Sequence, residues 1–346
     1  MSLLSVGVDV VLVVVAVAAL GWGAARFVAG ASRLAGRAGL SGLVIGLTVV
    51  AFGTSAPEFA VTVDAALGGR ADVAVANVVG SNVFNLGIVL GAVALVRTLP
   101  THGDLVRRDG VVLVATTLVL VWVVRDLRVG RVEGVVLFGS LVAYLLVVVS
   151  TDRERPVVSA VDDAATVPEA AVAPATVDPS TDVSDEASGE TAAGAPPDTT
   201  WLRDLFWTVV GLASVVAGAH LLVESAAALA RVAGLSEWLI GVTVVAAGTS
   251  APEFATSVAA ARRGAAGLSA GNLVGSSIFN TLGVLGLAAS IQPLSVAAAA
   301  VESSVWLLVL VAVATVLLWS GRELTRAEGA VLVALGLVNW AVDVVG

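Results

Sequence analysis

Residues 46–60 read Gly-Leu-Thr-Val-Val-Ala-Phe-Gly-Thr-Ser-Ala-Pro-Glu-Phe-Ala, and residues 241–255 read Gly-Val-Thr-Val-Val-Ala-Ala-Gly-Thr-Ser-Ala-Pro-Glu-Phe-Ala. Only Leu47/Val242 and Phe52/Ala247 differ. Each copy sets a glutamate, Glu58 or Glu253, directly after a proline and inside a long apolar run. A carboxylate inside a membrane span costs on the order of 2 kcal/mol or more, so it points to a functional site. Finding it twice in matching positions strengthens that reading.

The surrounding composition says what kind of medium these runs meet. Of the 346 residues 58% are hydrophobic and 13% charged, with a mean hydropathy of +0.99. Soluble domains carry about 25% charged residues. Long apolar runs without strand-like alternation predict an all-α polytopic membrane protein. The absence of cysteine rules out disulfides and thiolate metal sites. The first apolar run has no basic residues before it, so no cleavable signal peptide is expected.

Ten segments fit the demand of a bilayer for about 20 apolar residues, with 109–124 short unless it borrows flanking residues. They lie near 8–29, 41–66, 73–96, 109–124 and 131–150, and near 204–230, 236–261, 267–290, 298–319 and 326–345. One offset of 195 residues aligns Gly23 with Gly218, Glu58 with Glu253 and Asn77 with Asn272. The same offset aligns Gly80-Ser81 with Gly275-Ser276, Phe84-Asn85 with Phe279-Asn280 and Gly91 with Gly286. The expected domains are therefore a five-helix repeat over 1–150, a linker over 151–200 and a second five-helix repeat over 201–346. Five spans per repeat is an odd number, so the second repeat enters from the opposite face. The fold expected is ten transmembrane helices as two inverted five-helix repeats.

The net charge of −9 is localised. Residues 151–200 hold eleven acids against two arginines, which leaves the rest of the chain neutral. Rich in Ala, Pro, Thr, Asp and Ser, this linker reads as a disordered tether, with a cation-sensing role as the alternative. All 18 basic residues are arginine. With the linker in the cytoplasm, Arg70, Arg125, Arg128, Arg131 and Arg231 face outside and the other thirteen face inside. The positive-inside rule supports that orientation, with both termini outside. The cluster at 125–131 runs against it.

The chemistry gathers around the repeated stretch. Pro57 and Pro252 lack the N–H that would bond the carbonyls of Gly53 and Gly248. Broken-helix carbonyls in a waterless medium need partners, and a cation is one. Thr54 and Glu58 are four apart, as are Ser81 and Asn85, and Ser276 and Asn280. The set is one of hard oxygens, suited to Ca²⁺, Mg²⁺ or Na⁺ and not to zinc or copper. Two carboxylates balance one divalent or two monovalent cations. Close helix packing is the alternative reading of the glycines, and interhelical hydrogen bonding that of Asn85 and Asn280.

The paired Gly-Thr-Ser-Ala-Pro-Glu motifs, each followed by Gly-Ser-x-x-Phe-Asn, resemble the α-repeats of the sodium/calcium exchanger family, within the cation/Ca²⁺ antiporter superfamily. The resemblance covers all but the linker. It implies an antiporter and not an enzyme, exchanging Ca²⁺ for Na⁺ at the plasma membrane by alternating access, with H⁺ or K⁺ coupling as the alternative. It implies that Glu58 and Glu253 are the central ion ligands. Thr54, Thr249, Ser55, Ser250, Ser81, Ser276 and the carbonyls of Ala51 and Ala246 complete the sites, with Asn85 and Asn280 beside them. Several family members carry aspartate where this chain has Asn280. Ca²⁺ and Na⁺ are cargo. No cofactor and no nucleic-acid partner is expected, and a monomer suffices.

Three further readings concern the spans. His220 and Glu224, four apart, are expected to pair with each other, or else to line a proton path. Asp64 is expected to be solvated. Trp22, Trp122, Trp201, Trp207, Trp238 and Trp340 are expected as interface anchors. As for the linker, replacing residues 156–198 by a Gly-Ser chain of similar reach should leave transport nearly intact. Loss of Ca²⁺ activation in that protein would instead identify a sensor.

Overall fold

The computed structural model describes residues 3–38, 51–100, 105–152, 200–262, 266–320 and 323–345. Nearly all of the linker expected over 151–200, and the first part of the expected span 41–66, lie outside them. The described chain is almost entirely helical. In the first half α1 is Leu3–Arg37, α2 Ala51–Thr54 and α3 Ala56–Leu67. Helix α4 runs through Ala71–Val83, a π-helical turn at Phe84–Val89 and Leu90–Val96. Helix α5 is Val111–Val124, preceded by a π-helical turn at Leu105–Gly110, and α6 is Arg131–Asp152.

The second half repeats this order. Helix α7 is Thr200–Ala233, α8 Glu237–Thr249 and α9 Ala251–Arg262. Helix α10 comprises Ala266–Phe279, a π-helical turn at Asn280–Val284 and Leu285–Ile291. Helices α11 and α12 are Ala299–Ser320 and Arg326–Val345. The helix ends follow local chemistry. Gly69 and Gly234 take positive φ after α3 and α7, which glycine adopts without a Cβ clash. The Ser236 hydroxyl caps α8 by accepting the Leu239 N–H at 3.1 Å.

Among the described residues, six helices are long and apolar enough to cross a membrane: Val6–Ala35, Ala71–Val96, Arg131–Val148, Thr200–Ala233, Ser269–Ile291 and Ala299–Trp319. Of these, α4 and α10 are the most buried and form the centre. Helices α1 and α6 are the most exposed, and valines such as Val14, Val132 and Val135 point outward along them. Exposed apolar faces of that extent belong against lipid.

The halves exchange contacts in matched pairs. Four two-residue strands close the ends: β1 Leu99–Pro100, β2 Arg128–Val129, β3 Leu294–Ser295 and β4 Glu323–Leu324. β1 pairs antiparallel with β4 and β2 with β3, so Leu99 faces Leu324 and Val129 faces Leu294. Under the 195-residue offset each pair converts into the other. The Phe59–Phe279 and Phe84–Phe254 ring contacts interconvert in the same way.

Helices α1 and α7, which correspond under the offset, pack antiparallel. Gly23 lies against Gly211 and Val215, Gly30 against Asp204 and Thr208, and Gly218 against Ala16 and Leu20. One end of the crossing is tied by Arg33 Nε to Asp204 Oδ1 at 2.7 Å, with Arg37 3.6 Å from the other oxygen.

The glycine crossing has a measurable consequence. A Cβ on Gly23 would lie 2.7 Å from the Gly211 carbonyl oxygen, whereas one on Gly139 meets nothing within 4 Å. Gly23→Ala should therefore destabilise the detergent-solubilised protein by about 1–3 kcal/mol. Gly139→Ala should be neutral or slightly stabilising. Thermal unfolding of both variants checks this, and equal melting temperatures would contradict the close approach.

Candidate ion-binding site

Two interrupted helices build the site. The expected spans 41–66 and 236–261 do not run through their prolines as continuous helices. The helical line breaks one residue earlier than the proline chemistry suggested, at Ser55 (φ −88°, ψ 7°) and at Ser250 (φ −84°, ψ 6°). A new helix then starts with the proline in its first turn, where the missing N–H costs nothing. Phe59 N–H bonds the Ser55 carbonyl at 3.0 Å, and Phe254 N–H bonds that of Ser250 at 3.1 Å.

This break serves the glutamates. Glu58 and Glu253 occupy the first turns of α3 and α9, where exposed backbone N–H groups and the helix dipole favour negative charge. Both side chains are completely buried, and the two carboxyls lie within electrostatic reach of each other.

Hydroxyls from opposite halves meet around them. Ser250 Oγ donates to Glu58 Oε1 at 3.0 Å. Ser55 Oγ lies 3.4 Å from Ser276 Oγ, and Ser81 Oγ lies 3.3 Å from Thr249 Oγ1. The Ala246 carbonyl accepts from Ser250 N–H at 3.0 Å and lies 3.1 Å from Thr249 Oγ1. Ala51 opens α2, and Thr54 closes it, half-buried. The π-helical turns in α4 and α10 carry Asn85 and Asn280, both fully buried. Such wide turns recur at functional sites. Asn280 Nδ2 donates to Asn82 Oδ1 at 3.3 Å, so the interhelical role weighed for it has a partner.

Several acceptors are left over. Glu58 Oε2, both polar atoms of Asn85 and Asn280 Oδ1 are buried without a hydrogen bond. A buried unsatisfied polar group costs about 1–3 kcal/mol. Three of these four atoms are oxygens, the hard donors that a cation accepts. Among the described residues no group of three or more His, Cys, Asp and Glu side chains exists. The charge of this site thus comes from two carboxylates and its remaining donors are neutral.

Asn77 is a site residue that the motif reading left out. Its Nδ2 donates to Thr62 Oγ1 at 2.9 Å and reaches the Glu58 carbonyl at 3.5 Å, and its Oδ1 accepts from Thr249 at 3.1 Å. It thereby ties α3 and α4 to the broken helix of the other half. Its recurrence as Asn272 was the available signal. Asn82, which also donates to Thr281 at 2.9 Å, has no counterpart under the offset, so its signal was only its polarity within an apolar span.

Three expectations need correction. His220 and Glu224 do not pair with each other. His220 Nδ1 lies 3.1 Å from Asp64 Oδ1, and Glu224 pairs with Arg70 at 2.7 Å. Both face the end of α3 from one side of α7, where Asp64 lies within hydrogen-bonding reach of His220 and Arg70 pairs with Glu224. Asp64 is accordingly paired and not free in solvent. Trp238 is no interface anchor. It is 2% exposed, with its N–H on Asp343 Oδ1 at 3.2 Å. Trp22, Trp122 and Trp201 are exposed, and Arg26 lies over the Trp22 and Trp207 rings.

Comparison with known proteins places the chain by sequence and by fold. The sequence profile of the family described as "Sodium/calcium exchanger protein" matches residues 8–150 and 204–340. The chain is 36% identical to the "Putative antiporter CaxA" of Alkalimonas amylolytica over 329 residues, covering 94% of this chain and 95% of that one. It is 30% identical to the "Sodium/calcium exchanger MaX1" of Methanosarcina acetivorans, over 90% of this chain and 91% of that one. A solved structure of the sodium-calcium exchanger NCX_Mj superposes with a TM-score of 0.62 at 25% identity, over 97% of this chain and 99% of that chain.

Removing the bridging amide should be felt in the fold. Asn77→Ala strands Thr62 in a buried setting and leaves Thr249 with the Ala246 carbonyl and Ser81, so a loss of about 1–3 kcal/mol in stability is expected. Thermal melts in detergent measure it. A variant as stable as the natural protein would mean that Asn77 does not bridge the halves.

Proposed function

This chain belongs to the sodium/calcium exchanger family of membrane antiporters, and from that premise we propose that it exports Ca²⁺ against Na⁺ entry across the plasma membrane by alternating access. It is a transporter and not an enzyme. The observation that carries the proposal is the pair of fully buried carboxylates, Glu58 and Glu253, in matching helix turns, with Ser250 of the second half on Glu58 and the Ser55–Ser276 and Ser81–Thr249 hydroxyl contacts between the halves. Two carboxylates balance either one Ca²⁺ or two Na⁺, so the ions compete for one pool of negative charge. In this reading Glu58 and Glu253 are the charged ligands. Thr54, Thr249, Ser55, Ser250, Ser81, Ser276, Asn85, Asn280 and the carbonyls of Ala51 and Ala246 are the neutral ones.

The same reading takes residues 1–150 and 201–346 as inverted five-span repeats joined by 151–200, ten spans in all. Support comes from the antiparallel α1/α7 crossing and from strand pairs that interconvert under the 195-residue offset. Two halves related in this way offer equivalent approaches to one central site from opposite faces. A single chain supplies every ligand, so a monomer suffices.

Coupling to H⁺ or K⁺ is the second reading. Asn280 leaves the driving ion less tightly specified, because the site lacks the third carboxylate that several family members carry.

The test is Ca²⁺ flux into proteoliposomes under separately imposed Na⁺, K⁺ and H⁺ gradients. A Na⁺ gradient alone should drive uphill Ca²⁺ movement. Glu58→Gln and Glu253→Gln each remove half the site charge and should abolish it while the protein still inserts. Transport surviving in either variant would falsify the assigned ligands. Flux driven only by H⁺ or K⁺ would transfer the coupling to that ion.

A further inference from the structure

A second polar cluster lies away from the two glutamates, where α8, α11 and α12 meet. Asp343 Oδ1 accepts the Trp238 indole N–H at 3.2 Å and also the Ser303 hydroxyl. Its other oxygen, Oδ2, is buried with no hydrogen bond. One turn earlier on α12, Asn339 is 2% exposed, and neither its amide nitrogen nor its oxygen has a partner. Residues four apart share a helix face, so Asn339 and Asp343 line the same side of α12. Ser304, next to Ser303, is also buried with an unbonded hydroxyl. An apolar span does not leave that much acceptor capacity unused without cost.

The first half shows what is missing. Under the 195-residue offset, Ser303, Ser304 and Asn339 correspond to Arg108, Asp109 and Tyr144. There the buried Asp109 carboxylate takes Arg108 Nε at 2.7 Å and Nη2 at 3.3 Å, and the Tyr144 hydroxyl at 3.0 Å. Both halves thus set one carboxylate between corresponding helix pairs, Asp109 buried and Asp343 half-buried. The first half neutralises it with its own guanidinium. In the second half a serine stands in the arginine's place, and among the described residues no basic side chain forms an ion pair with Asp343.

We propose that Asp343, Asn339 and Ser303 form a second cation site, separate from the Glu58/Glu253 site, that takes one Na⁺. Asp343 is the one carboxylate among these ligands and matches one monovalent charge; Glu302, beside Ser303, is exposed and within electrostatic reach of it. The carboxylate, amide and hydroxyl oxygens are hard donors suited to an alkali ion. Trp238 is a positioning residue: its N–H holds Oδ1 and leaves Oδ2 for the ion. The assignment does not depend on the proposed antiport.

The experiment isolates this site by removing the other. The purified full-length Glu58→Gln/Glu253→Gln protein is titrated with radioactive Na⁺, and tryptophan emission is followed in parallel. Saturable Na⁺ binding should persist, with an emission change that Trp238→Phe abolishes. Adding Asp343→Asn, which keeps an acceptor for Trp238 and Ser303, should weaken Na⁺ binding roughly 10-fold or more. Asn339→Ala should weaken it in the same direction, and serves if Asp343→Asn does not fold. Absence of saturable Na⁺ binding in the double variant would overturn the proposal. So would binding indifferent to both changes, or Ca²⁺ occupying the site as well as Na⁺ does.

Discussion

Everything in this fold answers to the burial of two carboxylates, Glu58 and Glu253, where no part of either side chain reaches the surface. An uncompensated charge there is expensive, and the chain compensates it three times over. The break at each Ser-Ala-Pro turns backbone N–H groups toward the glutamate at the start of α3 or α9. The opposite half brings a hydroxyl, as Ser250 does for Glu58. The acceptors that remain, including Glu58 Oε2 and Asn280 Oδ1, leave room for a cation's charge and for its coordination shell. None of these works without the others. A continuous helix would hide the N–H groups, and a single half would lack the crossed hydroxyls.

Crossing the halves at that range requires backbones to approach closely, which explains where the glycines fall. A Cβ on Gly80 would lie 2.5 Å from the Val242 carbonyl, directly behind Ser81 and Thr249. Gly23 and Gly211 allow the same intimacy between α1 and α7. In lipid no hydrophobic force drives helices together, so small residues and polar links decide which surfaces meet. Here both are placed at the crossings that bring the glutamates together.

Much of this was legible in the sequence because a bilayer simplifies the code. Nine of the ten apolar segments read from the sequence have helices at their positions in the described residues, and the tenth, 41–66, is described only from Ala51 onward. The strand exchange at Leu99/Leu324 and Val129/Leu294 obeys the offset of 195 but was not foreseen, because two-residue strands carry no period to read. The glutamates announced themselves by cost alone. What stayed hidden depended on long-range geometry. The π-helical turns under Asn85 and Asn280 have no compositional mark. His220 and Glu224 sit at pairing distance on one helix, and only the fold could reveal that Asp64 and Arg70 lie closer to their charged ends. Trp238 looked like a membrane anchor because its position along the span was readable and its direction was not.

Where the two halves have drifted apart is as informative as where they agree. The motif residues from Gly248 to Ala255 match those from Gly53 to Ala60 without a change, and the cross-half hydroxyl contacts depend on both copies at once. A change in one copy would spoil an interaction owned by both, so the centre is constrained as a pair. One turn before the break that coupling relaxes. Phe52 joins a ring cluster with Phe27, Phe59 and Phe279, whereas its counterpart Ala247 adds no ring. Farther out, Arg108, Asp109 and Tyr144 face Ser303, Ser304 and Asn339 under the offset, and the carboxylate has moved from one helix of the pair to the other. At those peripheral positions the polar contacts are made within one half, so a change in one copy spoils no hydrogen bond owned by both. Shared hydroxyl contacts therefore tie the two copies together at the centre, and their absence lets the outer polar positions diverge even where the helices pack across the halves.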